Sequence, residues 1–227
     1  MARFFISNTT YFLQEGKENL DECIRLALEA AAEHGIRKVL VFTGAGEGLR
    51  KAEEVRGGHK RYQNICLVGV TFPQGKDFTS EELPHCISEV DTEWFKSKGV
   101  PIVRAHLPFD PIRANYVGRG VLAQDSSLIG NAIGIFGGGM SLCVQAALMA
   151  CDAGEVAFGE HAIAVSADTA ILVRCAPTAR FLTDLVIREI ICKPVFLSIS
   201  KKEALEDIEE LPFDSSPLLE GEANNPE

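Results

Sequence analysis

The 227-residue sequence has no C-x-x-C pair, no H-x-x-H pattern and no carboxylate cluster that suggests a metal, so the short spacings that hold a metal ion are missing. Its apolar runs stop short of the ~18 residues that a membrane span needs. Met1-Ala2-Arg3-Phe4-Phe5 lacks the long apolar segment and small-residue cleavage site of a secretory signal. A cytoplasmic location with no membrane partner is therefore expected. No internal repeat is present, and no arrangement of Ser, His and Asp or of Cys and His reads as a catalytic triad or dyad. Basic residues are absent from one region: from Glu203 onward there are nine acidic residues and no Lys or Arg. That region carries almost all of the formal charge of −10, and the rest holds 23 acidic against 22 basic residues. A nearly neutral body gives no indication of a nucleic-acid surface.

What is present is the balance of a globular chain, 46% hydrophobic and 24% charged, and long enough for a substantial core. The cysteines are Cys23, Cys66, Cys86, Cys143, Cys151, Cys175 and Cys192. Most sit among apolar neighbours, as in Ile65-Cys66-Leu67 and Ile191-Cys192. They read as reduced core thiols ahead of a disulfide or zinc framework.

Apolar periodicity predicts a helix over 19–34, where Leu20, Cys23, Ile24, Ala27, Leu28 and Ala31 share one face and Gly35 ends it. Short branched runs predict strands over 38–42, 65–71 and 101–105, with a helix over 89–98 between the last two. A small-residue helix is expected over 141–153. Strands are expected at 162–166 and 170–174, joined by a tight turn and antiparallel. A helix over 181–191 and a strand over 195–200 complete the pattern. Strands alternating with helices argue for one domain over 1–200, a three-layer α/β/α arrangement. Its sheet would have about five strands, mostly parallel, with one antiparallel edge. Residues 201–227 begin with a short amphipathic stretch and read as an acidic, disordered tail.

The densest signal is Val39-Leu40-Val41-Phe42 followed by Thr43-Gly44-Ala45-Gly46-Glu47-Gly48 and a helix from Leu49 to Val55, broken by Gly57-Gly58. A glycine-rich turn between strand and helix presents bare amides at the positive end of a helix dipole, which suits an anion, most often phosphate. A tight turn with no ligand is the competing reading. Gly-x-Gly-x-Gly differs from the dinucleotide fingerprint, and no acidic strand end follows at the spacing that fingerprint requires.

These pieces, in this order, resemble stand-alone proteins similar to the C-terminal α/β domain of pyruvate kinase. The resemblance rests on Tyr11-Phe12 with Gly16, Glu18 and Asn19, on Gly35-Ile36, and on the strand and turn from Val41 to Lys51. It continues through Thr71, His106, Phe136-Gly137-Gly138-Gly139, Met149-Ala150-Cys151-Asp152-Ala153-Gly154, Ala167-Asp168-Thr169-Ala170 and Ile187-Arg188-Glu189-Ile190 with Pro194. The resemblance implies a single α/β/α domain that binds a phosphorylated small molecule, flavin mononucleotide above all. It implies no pyruvate kinase activity, because nothing resembles the barrel that carries that chemistry. The family turn is rich in hydroxyls where this chain has Ala45 and Gly48. The family's longer glycine-rich stretch before Asp168-Thr169 is missing too, since Val165-Ser166 runs almost directly into that pair.

On this reading the turn amides of Gly44, Ala45, Gly46 and Glu47 hold a phosphate, assisted by the Thr43 hydroxyl, with Gly48 opening the helix. Thr71 and Phe72 follow the second strand, and Phe72 can stack on a ring. His106 and Arg113 flank a loop after the third strand: His106 either hydrogen-bonds a ligand there or is an ordinary satisfied surface or core histidine, and Arg113 can pair with phosphate. Gly137, Gly138 and Gly139 allow backbone to pass a planar ligand, or else form a flexible connection. Asp168 and Thr169 either accept from ligand hydroxyls or make a turn that bonds its own backbone. The functions left open are a flavin-binding module, a flavin-dependent oxidoreductase, and a ligand-free structural or regulatory relative. A homo-oligomer is compatible with all three.

Overall fold

The computed structural model describes residues 6–73, 87–109 and 122–195. Among these residues seven strands are formed: β1 (Thr10–Phe12), β2 (Lys38–Phe42), β3 (Cys66–Thr71), β4 (Ile102–Arg104), β5 (His161–Val165), β6 (Ala170–Arg174) and β7 (Val186–Pro194). The helices are α1 (Leu20–His34), α2 (Glu47–Gly58), α3 (Glu89–Ser97), α4 (Leu122–Gly134), α5 (Gly138–Asp152) and the single turn α6 (Phe181–Asp184). The strands make one sheet in the order β1-β7-β6-β5-β2-β3-β4.

Alternation along each strand divides the core between two faces. Val39 and Val41 pack with Cys23, Ile24, Leu28, Leu49 and Phe95 from α1, α2 and α3. Leu40 and Phe42 face the other way, toward Met140, Val144, Ala147 and Leu148 of α5. β2 lies at the centre, buried on both faces and paired in parallel with β3 and β5. This burial explains why its sequence is an unbroken apolar run. Helix α1 ends where expected: Gly35 adopts φ +65, and the amides of Gly35 and Ile36 both turn back to the Ala31 carbonyl. No helix among the described residues is long and apolar enough to cross a membrane.

The α/β class is as read from the sequence, and the hairpin pair β5–β6 is antiparallel as expected. Four details differ. The sheet has seven strands rather than about five. The reversed strand is interior: β6 runs antiparallel to both β5 and β7, and β7 pairs in parallel with the edge strand β1. The helix expected over 181–191 is only the turn α6, and most of that segment is β7. Register irregularities where β6 meets β7 place extra residues in β7 and destroy strict alternation. Ile187, Ile190 and Ile191 then fall at a spacing that mimics a helical stripe. Lastly, α2 continues through Gly57 and Gly58, which occupy its final turn before His59. The strand expected over 195–200 lies beyond β7; its residues 196–200 and the tail fall outside the described residues.

Candidate functional site

Thr43 leaves β2 still tied to the sheet, its amide donating to the Val70 carbonyl at 2.9 Å. Its side chain is buried, and its Oγ1 accepts from the Gly46 amide at 3.1 Å. Gly46 has φ +103, a left-handed conformation that favours glycine, and its carbonyl accepts the first bond of α2 from Arg50. The turn is therefore built from its own hydroxyl and its own glycine. One amide of the expected cradle, that of Gly46, is used internally. No described residue supplies an acceptor to the amides of Gly44, Ala45, Glu47 or Gly48. Among the described residues no side chain caps α2, which leaves its first amides and the positive end of its dipole open to an anion. A threonine hydroxyl that accepts one bond also keeps a proton to donate.

The turn forms one wall of a cleft of about 300 Å³. Phe42, Phe72, Ser166 and Ala167 bring to it the carboxyl ends of β2, β3 and β5, where ligands gather in open α/β sheets. Leu20 opens α1 on one side, and Leu142 of α5 faces it from the other layer. Phe72 stands edge-on to Phe42, with ring centroids 5.3 Å apart, and gives the cleft an aromatic wall. The ionisable side chains among the described lining residues are Lys17 and Glu47. Glu47 pairs with Lys17 at 3.3 Å, both largely exposed, so its carboxylate has a counter-charge beside the turn.

The other residues expected at the site divide into two groups. Thr71 is fully buried and donates its hydroxyl to the Gly44 carbonyl at 3.1 Å, shaping the turn from behind. Asp168 and Thr169 are also buried. Asp168 Oδ2 accepts from the Gly16 amide at 3.1 Å, and Oδ1 accepts from the Thr169 hydroxyl at 3.0 Å. Gly139 packs onto the same turn: a Cβ there would lie 2.4–2.5 Å from oxygens of Thr169, Asp168 and Ser166. Gly137, with φ +117, passes against Pro194, and Gly138 begins α5. Gly139 thus seats α5 on the β5–β6 turn, and neither the three glycines nor Asp168 and Thr169 line the cleft.

His106 is separate. It lines a second cavity of about 420 Å³, beside β4 and the end of α5, whose lining shares no residue with the first. Arg113 lies outside the described residues. The structure thus gathers Thr43, Gly44, Ala45, Glu47, Gly48 and Phe72 at one cleft, with Gly46 and Thr71 supporting them. The sequence reading missed Lys17, Leu20, Leu142, Ser166 and Ala167 as lining residues. Ser166 and Ala167 adjoin a motif already noted, whereas nothing local marks Lys17, which follows Gly16, whose amide Asp168 holds. No family model matches the chain.

Proposed function

We propose that this chain binds a phosphorylated small molecule at the cleft above β2, with the phosphate on the turn from Thr43 to Gly48. The ligand that the sequence resemblance favours is flavin mononucleotide. One observation carries the reading: four turn amides with no acceptor among the described residues stand at the start of a helix that borders a cleft. Its volume is at the low end of the ~300–1,000 Å³ range of small-molecule sites. Charge-assisted bonds from such amides contribute about 1.5–3 kcal/mol each. Lys17 offsets the Glu47 carboxylate at the rim, and Phe72 gives an aromatic face for a ring.

Calorimetric titration of the purified chain with flavin mononucleotide, riboflavin and inorganic phosphate tests this. Flavin mononucleotide is expected to bind well ahead of riboflavin, which lacks the phosphate. Ala45→Asp, which sets a carboxylate at a half-exposed turn position, is expected to weaken binding at least ~10-fold, the equivalent of ~1.4 kcal/mol, while the thermal midpoint stays in place. Equal affinity for the two flavins, or an Ala45→Asp protein that binds like the parent, rejects the assignment.

A further inference from the structure

Two thiols meet in the core where α1 crosses β7. Cys23 and Cys192 are fully buried, their Sγ atoms are 3.4 Å apart, and they are 169 residues apart in sequence. The other buried thiols are placed differently. Cys143 donates to the Thr169 carbonyl at 3.3 Å, and Cys175 lies in the opposite face of the core. Cys23 also lies within 3.6 Å of the Ser166 carbonyl. We infer that Cys23 and Cys192 are a redox modification site, a dithiol that closes to a disulfide and staples α1 to β7.

The sulfurs lie 3.4 Å apart and face each other, whereas cysteines whose backbones are far apart cannot be bridged without backbone movement. The oxidant is a peroxide. One thiolate attacks a peroxide oxygen, giving a sulfenic acid and, after proton uptake, one water. The second thiol then displaces the sulfenic hydroxyl as another water and forms the S–S bond. Two thiols and one hydrogen peroxide thus yield one disulfide and two waters. Access comes from the sheet edge. Cys192 pairs with Thr10 of β1, a three-residue strand whose Tyr11 is exposed. Short edge elements open far more readily than a core strand, and opening β1 frees the strand edge at Cys192 to solvent. The staple would close a loop of most of the domain, the case in which a crosslink restricts the unfolded chain most.

The full-length wild-type chain, reduced and then exposed to hydrogen peroxide, is alkylated, digested and mapped by mass spectrometry. The expected result is a linked peptide joining Cys23 to Cys192, lighter by two hydrogens and reopened by reductant. The oxidised protein should also unfold at a higher temperature than the reduced one, a difference that Cys192→Ala abolishes. Recovery of both as free thiols after Cys66 and Cys151 have oxidised overturns the assignment, as does a linkage of either to Cys143. The wild-type map needs no variant, so a misfolded mutant cannot decide the matter.

Discussion

Asp168 shows how one buried carboxylate can organise residues that are remote in sequence. It accepts from the amide of Gly16, 152 positions earlier, and from the hydroxyl of its neighbour Thr169. Asp168→Ala would leave that amide without its acceptor, and the expected loss is about 1–3 kcal/mol in urea unfolding. An unchanged midpoint would mean that another group takes over the amide. Gly139→Ala should cost a similar ~1–3 kcal/mol, because its methyl would press on Thr169 Oγ1 and Asp168 Oδ1, which bond each other, and on Ser166 Oγ, which bonds the Thr169 carbonyl. A stability equal to wild type would show that the 166–169 turn yields. The turn at Asp168 was readable from its residue types. Its bond to Gly16 was not, because nothing near position 168 encodes a partner so far away. The same holds for Lys17 at the cleft: the Thr43 turn is written locally, and its counter-charge is supplied by another part of the chain.

Elements with one clear period were legible, and those with a broken period were not. α1 carries its stripe and its glycine stop, and β2 its apolar run. β7 does not alternate, and β1 is too short to show a period at all. These differences also order local stability. Amides of β2 and β5, buried between two helical layers, should exchange with deuterium slowest, and those of β1 fastest. Protection of β1 equal to that of β2 would contradict this and would also close the route to Cys192. α3 depends on its cap: the Ser88 hydroxyl accepts from the Asp91 amide at 3.0 Å. Ser88→Ala should cost about 1 kcal/mol, read as a lower urea midpoint with an unchanged slope.

The buried thiols give the whole molecule an alkaline limit. Burial pushes the Cys175 thiol up to about 12 and the Cys143 thiol higher still. The bond to Cys192, followed by burial, raises Cys23 well above the ordinary range. In the unfolded chain these thiols ionise near ~8.5. The folded form keeps its protons there, so the thiol contribution is complete below that pH and declines as pH rises toward the folded values. Urea midpoints should therefore fall steadily above about pH 9, and Cys175→Ala should flatten the fall; a midpoint insensitive to pH there contradicts it. On the acid side, Arg25 beside Glu22 holds that carboxyl below its usual value. Its contribution is present above the ordinary ~4.3 and is lost as pH drops through the lowered value.

The Thr9 hydroxyl donates to the Ile190 carbonyl, 181 positions later, and the Val195 amide donates to the Phe12 carbonyl. During synthesis, therefore, β1 is made well before β7, the strand it pairs with. Until Val186 and its successors leave the ribosome, β1 has no neighbour and the flank of α1 that meets β7 stays wet. A nascent chain stalled before β7 therefore holds Cys23 without the Cys192 that it meets in the fold.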